Sequence, residues 1–250
     1  MCGRFASSSS PESIVELFGV RQWDPAETLA PSWNVAPTQS AFAVLERVPK
    51  GSAEPVRQLR VLRWGLVPQW AKSPETAVKM INARSDTVHE KPSYRQAFVS
   101  RRCVLPVDGY YEWQTVPGER GKARKKPFFV SRVDGAPLAL AGLYEFWRNR
   151  AVPSDHPEGW LVTFTIVTTD AEELLAPIHE RMPLFLDPGS FDAWLDPRRD
   201  DPEELRRLLI PPPPGALRAT PVSPDVGSIR NDRPELTEPW AEPEYETTLF

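Results

Sequence analysis

LALAGLYEFW at 138–147 and LVTFTIVTT at 161–169 decide the fold. Both are dense in apolar, β-branched and aromatic residues, and both fall far short of the roughly 18 to 20 apolar residues of a membrane span. Each reads as a strand. The NRAVPSDHPEG between them (149–159) reads as a surface loop, as does the basic run 118–126. Upstream lie further strand candidates at 101–107 (RRCVLPV) and 127–133 (PFFVSRV), and before those at 41–48 (AFAVLERV) and 57–64 (RQLRVLRW). Helices lie mostly toward the two ends. Residues 11–19 (PESIVELFG) have Ser10 as cap, Pro11 in the first turn and Gly19 as stop. One or two helical turns are expected at 91–98. Residues 170–176 read as a helix with Asp170 as N-cap, followed by 190–195 and by 202–209, which starts at Asp201 and Pro202. Strands in a run, with helices flanking rather than alternating, predict an α+β fold: a single domain with a mainly antiparallel, barrel-like sheet flanked by short helices. Pro211–Pro214 forms a stiff spacer. After about residue 234 the chain is rich in Pro, Glu and Thr and is expected to be poorly ordered. The expected layout is one domain over 2–234 and an acidic, Pro-rich tail over 235–250.

The chain has 250 residues, enough to bury a sizeable core. Two cysteines and three histidines exclude a disulfide framework and leave no ligand spacing for a metal. No glycine-rich phosphate loop is present. No metal and no nucleotide cofactor are therefore expected. The start, MCGRFASSSS, lacks the apolar stretch of a signal peptide, so a cytoplasmic protein without membrane partners is expected, with a monomer as the default state. Net charge is −4, but it is unevenly spread. Residues 47–133 hold 18 Lys+Arg against 7 Asp+Glu, and residues 187–250 hold 7 against 14. Such asymmetry fits either a nucleic-acid binder or an ordinary solvated surface. WGLVPQW (64–70) sets two tryptophans in the basic part, where they can stack on single-stranded bases or fill the core.

The chemistry starts at Cys2. Removal of Met1 leaves an N-terminal cysteine, whose α-amine and thiol have ordinary pKa values of about 7.7–8.0 and 8.5. Together they form a 1,2-aminothiol. An aldehyde can form a Schiff base with the amine, and the thiol can then close a five-membered thiazolidine. Gly3 permits close backbone approach, and Arg4 suits a phosphate beside the nucleophile. In INARSDT (81–87), Asn82 and Arg84 face one side of an extended segment; the pair fits a hydrogen-bonding and phosphate-gripping role, or a polar turn. In DGYYEWQ (108–114), Glu112 lies between aromatics that can desolvate it and fit it for proton transfer, or sits on an ordinary sheet edge. Trp113 stacks on a base or packs. In APIHERMP (176–183), His179 is a candidate acid/base and Arg181 a second phosphate contact. His89 and His156 read as structural, and Cys103 as a buried apolar residue.

The ordered set MCGRF, WNVAPTQ (33–39), WGLVPQW, INARSDT, CVLPVDGYYEWQ (103–114) and HERMP resembles the SOS response-associated peptidase family, also called abasic-site processing proteins. The matching blocks run from residue 2 to about 234. The resemblance implies recognition of abasic sites in single-stranded DNA and covalent capture, through a thiazolidine between Cys2 and the ring-opened sugar. It implies that Asn82 positions the Cys2 amine, that Glu112 shuttles protons, and that His179 assists sugar opening. Arg4, Arg84, Arg181 and Thr168 fall at phosphate-contacting positions, and Trp64, Trp113 and Pro37 lie in blocks that shape the DNA channel. The family name implies a self-processing thiol peptidase, here limited to Met1, and the imine stage implies residual AP-lyase activity. Association with the nucleoid is expected when DNA is bound. Two other classes remain: a thiol or N-terminal-nucleophile amidohydrolase, and a noncovalent single-strand binding module.

Overall fold

The structure is a computed structural model that describes residues 2–118, 122–153 and 155–241. Its centre is a closed ring of five strands: β4 (Ser40–Arg47), β5 (Val56–Trp64), β7 (Arg102–Val107), β10 (Leu138–Arg148) and β11 (Trp160–Asp170). Four of the joints are antiparallel, and one parallel joint closes the ring, β5 beside β11 with Phe164 opposite Trp64. Short strands extend it. β2 (Gln22–Trp23) lies parallel to β5, β6 (Asn82–Arg84) parallel to β11, and β12 (Arg181–Pro183) antiparallel to β11. A second sheet of five strands has the order β13 (Leu217–Pro221), β9 (Ala123–Arg132), β8 (Gly109–Pro117), β1 (Phe5–Ser7), β3 (Ser32–Val35).

Strand period two gives the ring strands two faces. Ala41, Ala43, Leu45, Leu105 and Ile166 share a core with Cys2 and with Phe5, Val35 and Tyr110 of the second sheet. Phe42, Val44, Val104, Ala141 and Val167 face the other way and are covered by Ile14 and Phe18, Phe98, Trp194 and Leu205 from the helices. These helices are α1 (Pro11–Phe18), α2 (Arg95–Ser100), α3 (Phe191–Leu195) and α4 (Pro202–Arg206). Burial on both faces is why the deciding stretches read as unbroken apolar runs rather than as alternation.

The α+β expectation with a mainly antiparallel, barrel-like core and short helices holds. The α1 caps are as read: Ser10 accepts from Ser13 N–H, and Gly19 is left-handed at φ 61°. Asp201 caps α4. Three expectations fail. The helix at 170–176 does not form: β11 runs through Asp170, and the following residues make turns. The basic run 118–126 is not all loop, since β8 and β9 are arms of a hairpin and residues 123–126 pair with 114–117; residues 119–121 lie outside the described residues. The chain remains ordered past 234. Pro234–Thr237 forms a 3₁₀ turn that buries Leu236 against Ala6, Tyr111, Val222 and Val226, and Trp240 N–H bonds to Pro221 C=O at 2.9 Å. Residues 242–250 of the expected tail lie outside the described residues.

Candidate active site

Cys2 enters the core just before β1, at the seam between the two sheets, and is fully buried. Three neighbours fix it. Its Sγ donates to the Arg4 carbonyl at 3.8 Å. Asn82 Nδ2 donates to the Cys2 carbonyl at 2.7 Å. Glu112, buried on β8, lies close enough for its charge to act on the thiol. Burial first, and Glu112 second, push the thiol well above its ordinary pKa. The thiolate is therefore disfavoured relative to that of a free cysteine.

Asn82 is placed by β6, whose parallel register with β11 sets Asn82 beside Ile166 and Arg84 beside Thr168. Asn82 Oδ1 is buried and, among the described residues, has no hydrogen-bond partner. His179 belongs to the loop between β11 and β12. That loop is closed at its neck by Ala171 N–H to Glu180 C=O and tied to β8 by Gln114 Nε2 to Pro177 C=O at 3.2 Å. His179 Nδ1 accepts from Arg181 N–H at 3.0 Å, so a neutral ring carries its proton on Nε2. Cys2, Asn82 and Glu112 thus form one constellation. His179 sits on a loop that Pro177 ties to the strand carrying Glu112, and its own hydrogen bond runs to Arg181.

The arginines differ from one another. Arg84 is exposed and grips Asp86, whose carboxyl it holds down to about 2. Arg181 is buried, and its guanidinium is bracketed by Thr168 Oγ1, Thr168 C=O and Asp170. Burial, then the charge of Arg84, lowers the Arg181 pKa. Arg84 and Arg181 thus flank Thr168, each beside a carboxylate, Asp86 and Asp170. Thr168 itself is fully buried, and its Oγ1 accepts from Arg181 at 3.1 Å. Arg4 is half-buried. Its Nη1 donates to Asn34 Oδ1 at 2.8 Å and to Val226 C=O at 3.0 Å, and its guanidinium lies 6.0 Å from the Trp113 ring.

The expectation for Trp64 is corrected. It is fully buried, packed against Phe5 at 4.8 Å and Phe164 at 6.2 Å, with Nε1 bonded to Ile81 C=O, so it has no face to offer a base. The other tryptophan of WGLVPQW is the outward one: Trp70 is 66% exposed, beside the exposed Lys72. Pro37 is half-buried in the turn after β3. The next residue, Thr38, has φ 72°, a strained value for a β-branched residue, held by Thr38 N–H to Trp64 C=O at 3.0 Å. Sequence reasoning passed over Asn34, although it lies in the quoted WNVAPTQ block. A polar residue inside an otherwise strand-like segment is its only signal.

A model of the family described as SOS response associated peptidase matches residues 1–229. The chain belongs to that family. Among SOS response associated peptidase relatives, an abasic site processing protein of Bacillus subtilis (strain 168), YoqW, is 40% identical over 238 residues, covering 95% of this chain and 99% of its own. The abasic site processing protein HMCES of Gallus gallus is 32% identical, covering 96% of this chain and 78% of its own. A crystal structure of a protein from Bacteroides thetaiotaomicron superposes with a TM-score of 0.78 at 26% identity, over 96% of this chain and all of that one.

Proposed function

We propose that the chain processes abasic sites in single-stranded DNA by covalent capture. After Met1 removal, the Cys2 amine condenses with the ring-opened sugar aldehyde and releases one water. The thiol then adds across the C=N bond to give a thiazolidine. The observation that carries this reading is the Asn82 bond to the Cys2 backbone carbonyl. It clamps the residue next to its α-amine, which amine chemistry needs. The unpartnered Asn82 Oδ1 suits the N–H of the freed amine. Because burial and Glu112 raise the pKa of the thiol, the amine attacks first, and sulfur addition is helped by a proton acceptor; Glu112 is the group beside it. His179 serves sugar opening from the neighbouring loop. Arg84 and Arg181 offer positive charge for the flanking phosphate, with Arg4, Trp113 and Pro37 along the same channel. A thiol-peptidase reading is weaker on the same ground, since a nucleophilic cysteine is normally held below its ordinary pKa. Proteolysis is limited to release of Met1.

Intact mass spectrometry under denaturing conditions tests the proposal, using protein whose Met1 removal has been verified and an oligonucleotide with one abasic site. The expected species is protein plus DNA minus one water, lost in Cys2→Ala. No adduct overturns the covalent reading. Cys2→Ala retains an N-terminal amine, so its imine acidifies the C2′ protons and eliminates the 3′ phosphate: strand cleavage above background is the expected second result.

A further inference from the structure

We infer that Asn34 is the positioning residue for Arg4, and that it couples the C-terminal segment 222–236 to the grip on DNA phosphate. The inference rests on the DNA reading above. Asn34 lies on β3 and is 2% exposed. Its Nδ2 faces three carbonyls, Val226 at 3.3 Å, Ser228 at 3.0 Å and Asn231 at 2.6 Å. Its Oδ1 accepts from Arg4 Nη1 at 2.8 Å. Only one orientation of the amide satisfies this set, because carbonyls accept and a guanidinium donates. The side chain therefore has one state, and so does the arginine it holds.

Arg4 is fixed at both ends. Its carbonyl accepts from Tyr111 N–H at 2.9 Å, and its Nη1 is shared between Asn34 and Val226. Among the described residues its Nη2 makes no hydrogen bond. The result is a cation two residues from Cys2 with one edge committed to the fold and one left for an oxyanion. A free arginine loses much rotamer freedom when it binds; here that loss has occurred on folding. The carbonyls that Asn34 needs come from the C-terminal segment, which is itself held by Leu236 in its apolar pocket and by Asp232 Oδ1 accepting from Trp33 N–H at 2.6 Å.

The test is a double-mutant cycle of Arg4→Ala and Asn34→Ala, read as affinity for an undamaged single-stranded oligonucleotide at several salt concentrations. Undamaged DNA isolates the noncovalent step. Loss of one phosphate contact lowers the slope of log affinity against log salt by about 0.7 for a single strand. Each single variant is expected to show that loss, and the double variant no more. A purely structural Asn34 lowers melting temperature but leaves the slope alone, and its effect adds to that of Arg4→Ala; either result overturns the inference. If Asn34→Ala does not fold, Asn34→Thr replaces it: it suits a strand, keeps a donor for one carbonyl and gives up the reach to Arg4. A wild-type chain that does not bind the oligonucleotide overturns the DNA reading itself, and this inference with it.

Discussion

Trp64 and Trp70 stand six positions apart in one motif and face opposite fates. Trp64 fills the space between Phe5 and Phe164, so Trp64→Ala is expected to cost about 3–5 kcal/mol of stability. Trp70 offers an open indole, so Trp70→Ala is expected to leave stability within about 0.5 kcal/mol and to weaken single-strand binding by about 1–3 kcal/mol. Urea unfolding and anisotropy titrations on both variants check the pair, and a reversal of the two patterns refutes it. Glu172 gives a second residue-scale expectation. Burial raises its carboxyl above the ordinary value, against a lowering bond from Gly215, and Oε1 has no partner among the described residues. The folded state therefore holds the proton more tightly than the unfolded one, so stability falls as pH rises from the ordinary value through the raised one. Glu172→Gln should flatten that decline and be the more stable form at neutral pH; parallel curves for the two proteins between about pH 4 and 8 would falsify it. Cys2, Asn82, Glu112, His179 and the three arginines could be singled out from their sequence blocks. Which tryptophan faces outward could not, because that depends on the β5–β11 joint, formed by residues a hundred positions apart.

At the scale of elements, the motif WGLVP encodes a turn that only glycine completes. Gly65 has φ 110°, and a Cβ there would lie 2.5 Å from Ala77 C=O. Gly65→Ala therefore combines backbone strain with overpacking and is expected to cost about 3 kcal/mol. A shift of the urea midpoint with unchanged slope is the expected signature, and a neutral substitution would show that the 3₁₀ turn at Pro74–Lys79 moves freely. The long strands of the ring were legible because burial on both faces concentrates β-branched and aromatic residues, whereas β8 and the start of β9, a hairpin of the second sheet, were not. β1, β3, β6 and β12 were not either, since three or four residues carry no period, and β1, β3 and β6 exist through partners supplied from far along the chain. The misread helix at 170–176 has the same origin. Asp170 is a good N-cap by composition, but its backbone is claimed by pairing with Arg181 and its carboxylate by the same arginine. The elements that carry the candidate site are thus the ones that local sequence describes least well.

At the scale of the molecule, the two sheets meet where Cys2 enters, and the basic middle of the chain supplies β5, β6 and β7 to one and β8 and β9 to the other. The acidic C-terminal part is not simply an appendage: through Asn34 and Leu236 it closes over the start of the chain. The burial of Cys2 has one more consequence. Peroxide and small diffusible electrophiles attack exposed thiolates, and the first oxidation steps follow exposure and ionisation. A sulfur with no accessible surface and a raised pKa meets neither condition. The Cys2 sulfur is thereby expected to stay reduced in the very conditions that damage bases and sugars.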